Sequence, residues 1–194
     1  MINTDQIKQL REETAVSVAE CKKALEEAKG DIVTAKEILR KWGKILANKK
    51  SEREVKSGIV KSYVHSNDKV GVMLDIRCES DFVARSEEFK NLAHEICLQI
   101  AAMKPLFVRE EEIPEDILTS EKKIYLEQMK DSGKPQNILE QILEGKLKKY
   151  KEEVSLLSQP WIKDDSKKIK DLIEENIGKI GENITVRKFA RYEI

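Results

Sequence analysis

His65 and His94 are the chain's imidazoles, and Cys21, Cys78 and Cys97 its thiols. A nucleophile needs a base within reach and a third group to orient that base, yet neither histidine has a Cys or Ser with a carboxylate close to it in sequence. The three cysteines have neither CxxC nor Cys/His ligand spacing, so they outline no zinc site, and an odd number of them behind an amino terminus without a leader's charged and apolar blocks fits a reducing cytoplasm. The eight glycines form neither GxGxxG nor GxxxxGKS/T, which leaves no phosphate cradle and no bound nucleotide to expect. Carboxylates gather at Glu110, Glu111 and Glu112 and at Asp164 and Asp165, in charged stretches that a solvated surface explains without a metal. The expectation is a chain with no catalytic residue, no metal and no cofactor, and so not an enzyme.

Ser80-Asp81-Phe82-Val83-Ala84-Arg85 stands apart, because it puts an aromatic between charged neighbours just after a strand pattern. Two readings are open at this level. Ser80 or Asp81 caps the following helix while Phe82 tucks beneath it as a hydrophobic staple. Alternatively Phe82 faces outward as an anchor for another molecule.

Composition narrows the partner. Charged residues are 37% of the 194, but they divide into 36 basic and 36 acidic, so no global field draws the chain to nucleic acid or an anionic membrane. Lys146, Lys148 and Lys149 are matched by Glu152 and Glu153, and aromatics are 5% of the chain, too sparse for a stacking platform on RNA. No apolar run approaches the roughly 18 residues of a spanning helix, so a soluble protein is expected, with apolar content to fill a modest core.

The elements that must position the segment follow from period and punctuation. Thr4 to Gly43 reads as three short helices: one through Ile7 and Leu10, one opened by a Ser17/Glu20 capping box with Val18, Cys21, Leu25 and Ala28 on a face, and one capped by Asp31 with Ile32, Ala35, Ile38 and Leu39. Gly30 ends the second and Gly43 is the expected stop of the third. Lys44 to Lys56 is polar and suggests an exposed connector, which places a helical domain at 1–50 and a second domain at 51–194. There the period changes to two, with a strand over 58–66, Asn67-Asp68 as a tight turn, and a strand through Val70, Val72, Leu74, Ile76 and Cys78. After a loop over 79–85, Phe89, Leu92, Ala93, Ile96 and Ile100 mark an amphipathic helix ending before Pro105. An antiparallel helical hairpin over 114–157 turns at Ser132-Gly133-Lys134-Pro135. A helix after Trp161, carrying Ile169, Leu172, Ile173 and Ile177, closes at Gly178 or Gly181, and Ile184 to Ile194 is a third strand. The sum is an α+β fold: a three-helix amino-terminal domain, then a three-stranded antiparallel sheet with helices segregated to one side.

Two motifs then identify a family. Leu10-Arg11-Glu12-Glu13-Thr14 with Glu20-Cys21-Lys22-Lys23-Ala24-Leu25, and Arg77-Cys78-Glu79-Ser80-Asp81-Phe82-Val83-Ala84-Arg85 after the hairpin, resemble in order and spacing the two signatures of the elongation factor Ts family. Ser132-Gly133-Lys134-Pro135, Glu144-Gly145-Lys146-Leu147-Lys148-Lys149-Tyr150, Gln159-Pro160 and Lys179-Ile180-Gly181-Glu182-Asn183-Ile184 extend the resemblance along essentially the whole chain. Departures fall at Ala15, Ser17, Val18 and Ala19, where the family often has Gly, Gly, Met and Met, at Ser80 for Thr, at Arg77 for Asn, and at Trp42 for a small residue.

The resemblance implies an amino-terminal domain of the ubiquitin-associated type, a single core subdomain as in compact members, and guanine-nucleotide exchange on elongation factor Tu. It implies that Phe82 wedges into the GTPase while Asp81 and Val83, with Ser80, shift a neighbouring helix and dislodge the partner's magnesium. Leu10, Arg11, Val18, Ala19 and Lys22 are expected to grip the GTPase domain, and His65 at the hairpin tip to touch another domain of the partner. A single compact core would engage only part of the surface that longer members reach, so a homodimer forming a 2:2 complex is expected, without nucleic acid or membrane. The alternatives are a stand-alone helical binding module of the ubiquitin-associated type, a small RNA-binding protein, and an enzyme, in descending order of support from the residues.

Overall fold

The computed structural model describes residues 3–14, 16–130 and 135–194. Ala15 and the expected hairpin turn at Ser132-Gly133-Lys134 lie outside them. The protein is α+β, and its elements are, in order, α1 (Thr4–Thr14), α2 (Val18–Glu27), α3 (Ile32–Lys50), β1 (Ser57–Val64), β2 (Val70–Cys78), α4 (Asp81–Arg85), α5 (Glu87–Met103), α6 (Glu115–Met129), α7 (Gln136–Val154), β3 (Pro160–Trp161), β4 (Asp164–Lys168), α8 (Ile169–Ile180) and β5 (Ile184–Glu193). One antiparallel sheet has the order β1-β2-β5, and β3-β4 form a second. Contacts divide the chain into two compact units, the first from the described residues of Met1–Lys61, Leu74–Glu95 and Asp171–Arg187, the second from those of Ser62–Met73, Ile96–Lys170 and Lys188–Ile194.

In the first unit the amino-terminal helices close over a small core of Leu10, Cys21, Ala24, Leu25, Ala28, Ala35, Ile38 and Leu39, with Ile7, Val16, Ile32 and Trp42 against its edge. Trp42 therefore has a packing role. Ser17 caps α2, its Oγ accepting from Glu20 N–H at 3.3 Å and donating to the Glu20 carboxylate at 2.6 Å. That departs from the reciprocal box, in which the carboxylate turns back to the backbone. Asp31 caps α3 through Thr34 N–H at 2.9 Å, and the bonds from Thr34 hold its carboxyl below the ordinary value.

The expected stop at Gly43 is overturned, since α3 runs through it to Lys50 and absorbs much of the presumed connector. The reason lies in α8. A Cβ on Gly178 would stand 3.1 Å from Gly43 Cα, and one on Gly43 would stand 3.6 Å from Glu174 O. The two glycines let two helical backbones cross where side chains would separate them, which offsets the roughly 1 kcal/mol that a mid-helix glycine costs against alanine. Lys44 pairs with Asp171 at 2.5 Å and Arg40 with Glu175 at 3.4 Å beside the crossing. Gly178 thus lies within α8, and Gly181, with φ +82°, follows its end. Leu74, Ile76, Phe89, Leu92, Ile173, Ile177, Ile184 and Val186 are also among the unit's buried side chains.

In the second unit the hairpin turn is wider than the expected pair. His65 N–H donates to Val70 O and Asp68 N–H to His65 O, both at 2.8 Å. Asp68 alone of Asn67 and Asp68 is left-handed, at φ +57°, while Asn67 Oδ1 accepts from Lys69 N–H at 3.0 Å. Helices α6 and α7 form the antiparallel hairpin: Leu126 and Met129 line a small cleft with Leu139 and Leu143, and Lys146 lies 5.0 Å above the Tyr125 ring. Helix α7 ends at Val154, short of the expected Leu157, and Leu156–Ser158 is a 3₁₀ turn.

The stretch after Trp161 is a ribbon where a helix was expected at once. Trp161 pairs with Asp164 and Pro160 with Lys168, and the helix waits until Ile169. Asp164-Asp165-Ser166-Lys167-Lys168 has no apolar alternation, so nothing in its pattern announced a strand. Buried Gln99 fixes the ribbon's base, donating to Gln159 Oε1 at 3.1 Å and Pro160 O at 3.0 Å and accepting from Ile162 N–H at 2.9 Å.

Candidate functional site

Cys78 ends β2 with its side chain buried, and the chain must then reverse into α5. It does so through one helical turn, α4, where a loop was expected. Ser80 is extended, at φ −124° and ψ 155°, and caps the turn by accepting from Val83 N–H at 3.3 Å. Of the four residues expected to act together, Ser80 is partly covered, Asp81 and Phe82 face water and Val83 is 7% exposed. Phe82 is 86% exposed. The cap half of the structural reading is thereby met and the staple half excluded, because a ring serving as a staple is covered by the helix it pins.

Behind the turn lies a network that the motif alone did not reveal. The Glu182 carboxylate accepts from Glu79 N–H at 3.1 Å, from Ser80 N–H at 2.9 Å and from the Ser80 hydroxyl at 2.6 Å. Glu79 reciprocates, taking Asn183 N–H at 2.7 Å. Asn183, buried, donates its amide to Arg53 O at 2.9 Å, and Arg53 pairs with Glu79 at 3.6 Å. Cys78 Sγ donates to Ser80 O at 3.3 Å. Burial first, and then the charge of Glu182, push its thiol up to about 11, so it stays a neutral donor. Arg77 is accounted for too: its guanidinium chelates buried Asp75, with Nη2 at 3.0 Å from Oδ2, and that bond raises its pKa. Glu182 and Asn183 belong to a stretch that carried the resemblance, but nothing local in Gly181-Glu182-Asn183 assigns them to a turn a hundred residues earlier.

The amino-terminal candidates sort by exposure. Arg11, Val18, Ala19 and Lys22 are on the surface, with Val18 51% exposed. Leu10 is 0% exposed and packs with Cys21 in the helical core, so its side chain shapes the helices from within. His65, in the second unit, is exposed at the start of the hairpin turn and bonds Tyr63 Oη through Nδ1 at 2.8 Å. His94 is half-buried on α5.

Among the described residues no group of His, Cys, Asp and Glu is arranged to hold a metal ion, and no helix is long and apolar enough to cross a membrane. The family model described as Elongation factor TS matches residues 3–194. The chain belongs to the elongation factor Ts family. An Elongation factor Ts of Thermotoga petrophila is 55% identical over 193 residues, covering 100% of this chain and 96% of that protein. Those of Thermodesulfovibrio yellowstonii, 51% identical with 100% and 96% covered, and Thermosipho melanesiensis, 49% identical with 100% and 99% covered, are similar throughout. Within an elongation factor Ts chain of this length, the turn from Glu79 to Arg85 with its Glu182 support is the candidate site.

Proposed function

We propose that this chain is a guanine-nucleotide exchange factor for elongation factor Tu, acting in translation elongation by binding the GDP complex, displacing its magnesium and releasing GDP so that GTP can bind. The observation that carries the reading is Phe82, 86% exposed on a turn whose backbone is bonded from behind. A GTPase holds nucleotide through its phosphate loop and a bridging magnesium ion, so a factor that shifts either lowers nucleotide affinity without covalent chemistry. A rigid turn suits that task, because a wedge that yields transmits no displacement. Phe82 fills an apolar crevice of the GTPase, and burial of such a ring yields about 2–3 kcal/mol. Asp81 moves the adjoining helix, with buried Val83 seating the turn on this chain's own core and Ser80 capping it.

The helical domain at 1–50 docks on the GTPase domain through Arg11, Val18, Ala19 and Lys22, on a frame that Leu10 supports, and His65 meets a different domain of the partner. Binding and exchange are then one negative coupling: the factor weakens nucleotide binding as much as nucleotide weakens the factor's own, and incoming GTP ejects it. The reading includes a homodimer that makes a 2:2 complex in the cytoplasm, without nucleic acid or cofactor. Exposed Val64, Met73 and Tyr192 on strands of the sheet support a further protein contact. The test is release of fluorescent GDP from purified elongation factor Tu at fixed magnesium. Acceleration by this chain is expected, and its absence with correctly folded protein would overturn the function.

A further inference from the structure

We infer that Glu182 is the positioning residue of the exchange turn, fixing the Ser80 hydroxyl and the Glu79–Ser80 backbone so that Phe82 is presented before any partner arrives. The inference rests on the exchange-factor reading and adds to it a residue far from the turn in sequence.

An ionised carboxylate only accepts hydrogen bonds. The Ser80 hydroxyl, 2.6 Å from Glu182 Oε1, must therefore point its proton at the carboxylate, and its lone pairs are left facing Val83 N–H at 3.3 Å. Glu182 thus sets the rotor of the very oxygen that caps α4. Its other oxygen receives the N–H groups of Glu79 and Ser80 at 3.1 and 2.9 Å, the two amides that carry the chain out of β2. Charge-assisted bonds of this kind are about twice as strong as neutral ones.

The backbone that carries Glu182 is itself held on both sides. Lys50 Nζ donates to Gly181 O, and Asn183 is tied through its N–H to Glu79 Oε1 at 2.7 Å and through its amide to Arg53 O at 2.9 Å. These bonds fix the backbone position from which the Glu182 side chain reaches the turn. A five-residue helix with no such support is far below the length at which helices persist in water, so the turn's order must come from outside its own sequence.

The test compares wild type, Glu182→Ala and Glu182→Gln on GDP release from elongation factor Tu over a range of factor concentrations, with amide hydrogen exchange on the free proteins. Docking through the amino-terminal helices is intact in the variants, so loosening the turn lowers the maximal rate. Glu182→Ala is expected to cut it about tenfold while the half-saturating concentration stays within about twofold. The amides of Glu79, Ser80 and Val83 exchange faster, and those of Leu74 and Phe89 do not. Glu182→Gln keeps one acceptor and can donate to a reoriented Ser80 hydroxyl, so it recovers to roughly threefold below wild type. A wild-type maximal rate in Glu182→Ala would overturn the inference. So would a loss confined to half-saturation, or one accompanied by faster exchange throughout the core, since both mark a lowered folded fraction. If Glu182→Ala does not fold, Glu182→Gln decides, and an unchanged rate with unchanged turn amides overturns the proposal. If the wild type itself fails to release GDP, the function falls, while the amides of Glu79, Ser80 and Val83 still decide whether Glu182 holds the turn.

Discussion

Phe82 leaves 86% of its surface in water, and keeping a ring there costs about 2–3 kcal/mol relative to burying it. Folding gains little from a large aromatic at this position, and the exchange reading supplies a contact that would bury it. Glu193, in the second unit, is a charged residue whose neighbours set its ionisation. Lys104 bonds its carboxylate at 2.7 Å and Arg191 at 2.8 Å, and these bonds, Lys104 first, lower its pKa to about 2 from 4.5. Because the folded value is the depressed one, the stabilisation is fully present above 4.5 and is lost as the pH falls from there through 2. The melting temperature of wild type should therefore exceed that of Glu193→Gln at pH 6 by more than at pH 2.5. An equal difference at both pH values would show that the pair contributes nothing through ionisation.

At the scale of elements, glycine in a helix has two opposite meanings that composition does not separate. Gly145 lies on the exposed face of α7 with nothing within 4 Å of a built Cβ, whereas a Cβ on Gly178 meets Gly43 Cα at 3.1 Å. Gly145→Ala should stabilise the protein by about 0.5–1 kcal/mol through helix propensity. Gly178→Val should destabilise it by about 1–3 kcal/mol by forcing α3 and α8 apart. Urea unfolding of the two variants checks both signs, and a stabilised Gly178→Val would refute the close crossing. The same pair explains what was legible in the sequence. Caps at Ser17 and Asp31, the period-two run of β2 and the 3.6-residue stripe of α5 are local signals, and each placed its element. The continuation of α3 through Gly43, the polar ribbon β3–β4 and the reach of Glu182 to Ser80 are set by partners distant in sequence, and local pattern holds no trace of them. The site was half visible for this reason: Ser80 to Val83 as a motif, their support not at all.

At the scale of the whole molecule, the exchange reading asks a 194-residue chain to engage a large partner with one sheet and one wedge. Val64, Met73 and Tyr192 are 62%, 52% and 69% exposed on strands of that sheet, more apolar exposure than a solvated sheet face needs. Two cooperating subunits are expected, with a light-scattering mass of twice the 22.3 kDa chain alone and a 2:2 stoichiometry with elongation factor Tu. Cys21, Cys78 and Cys97 are all buried, so the mass should be unchanged by reductant. A monomeric mass across micromolar concentrations would sink the two-subunit arrangement and leave the wedge untouched.

In the exchange reading Phe82 acts on the partner and not on the fold. The most direct measurement is GDP release from elongation factor Tu by wild type and Phe82→Ala, side by side at fixed magnesium, with thermal melts of both. Phe82→Ala should melt as wild type does, its ring having little to lose, and should lose most of the acceleration. Near-wild-type acceleration by a correctly folded Phe82→Ala would contradict the account.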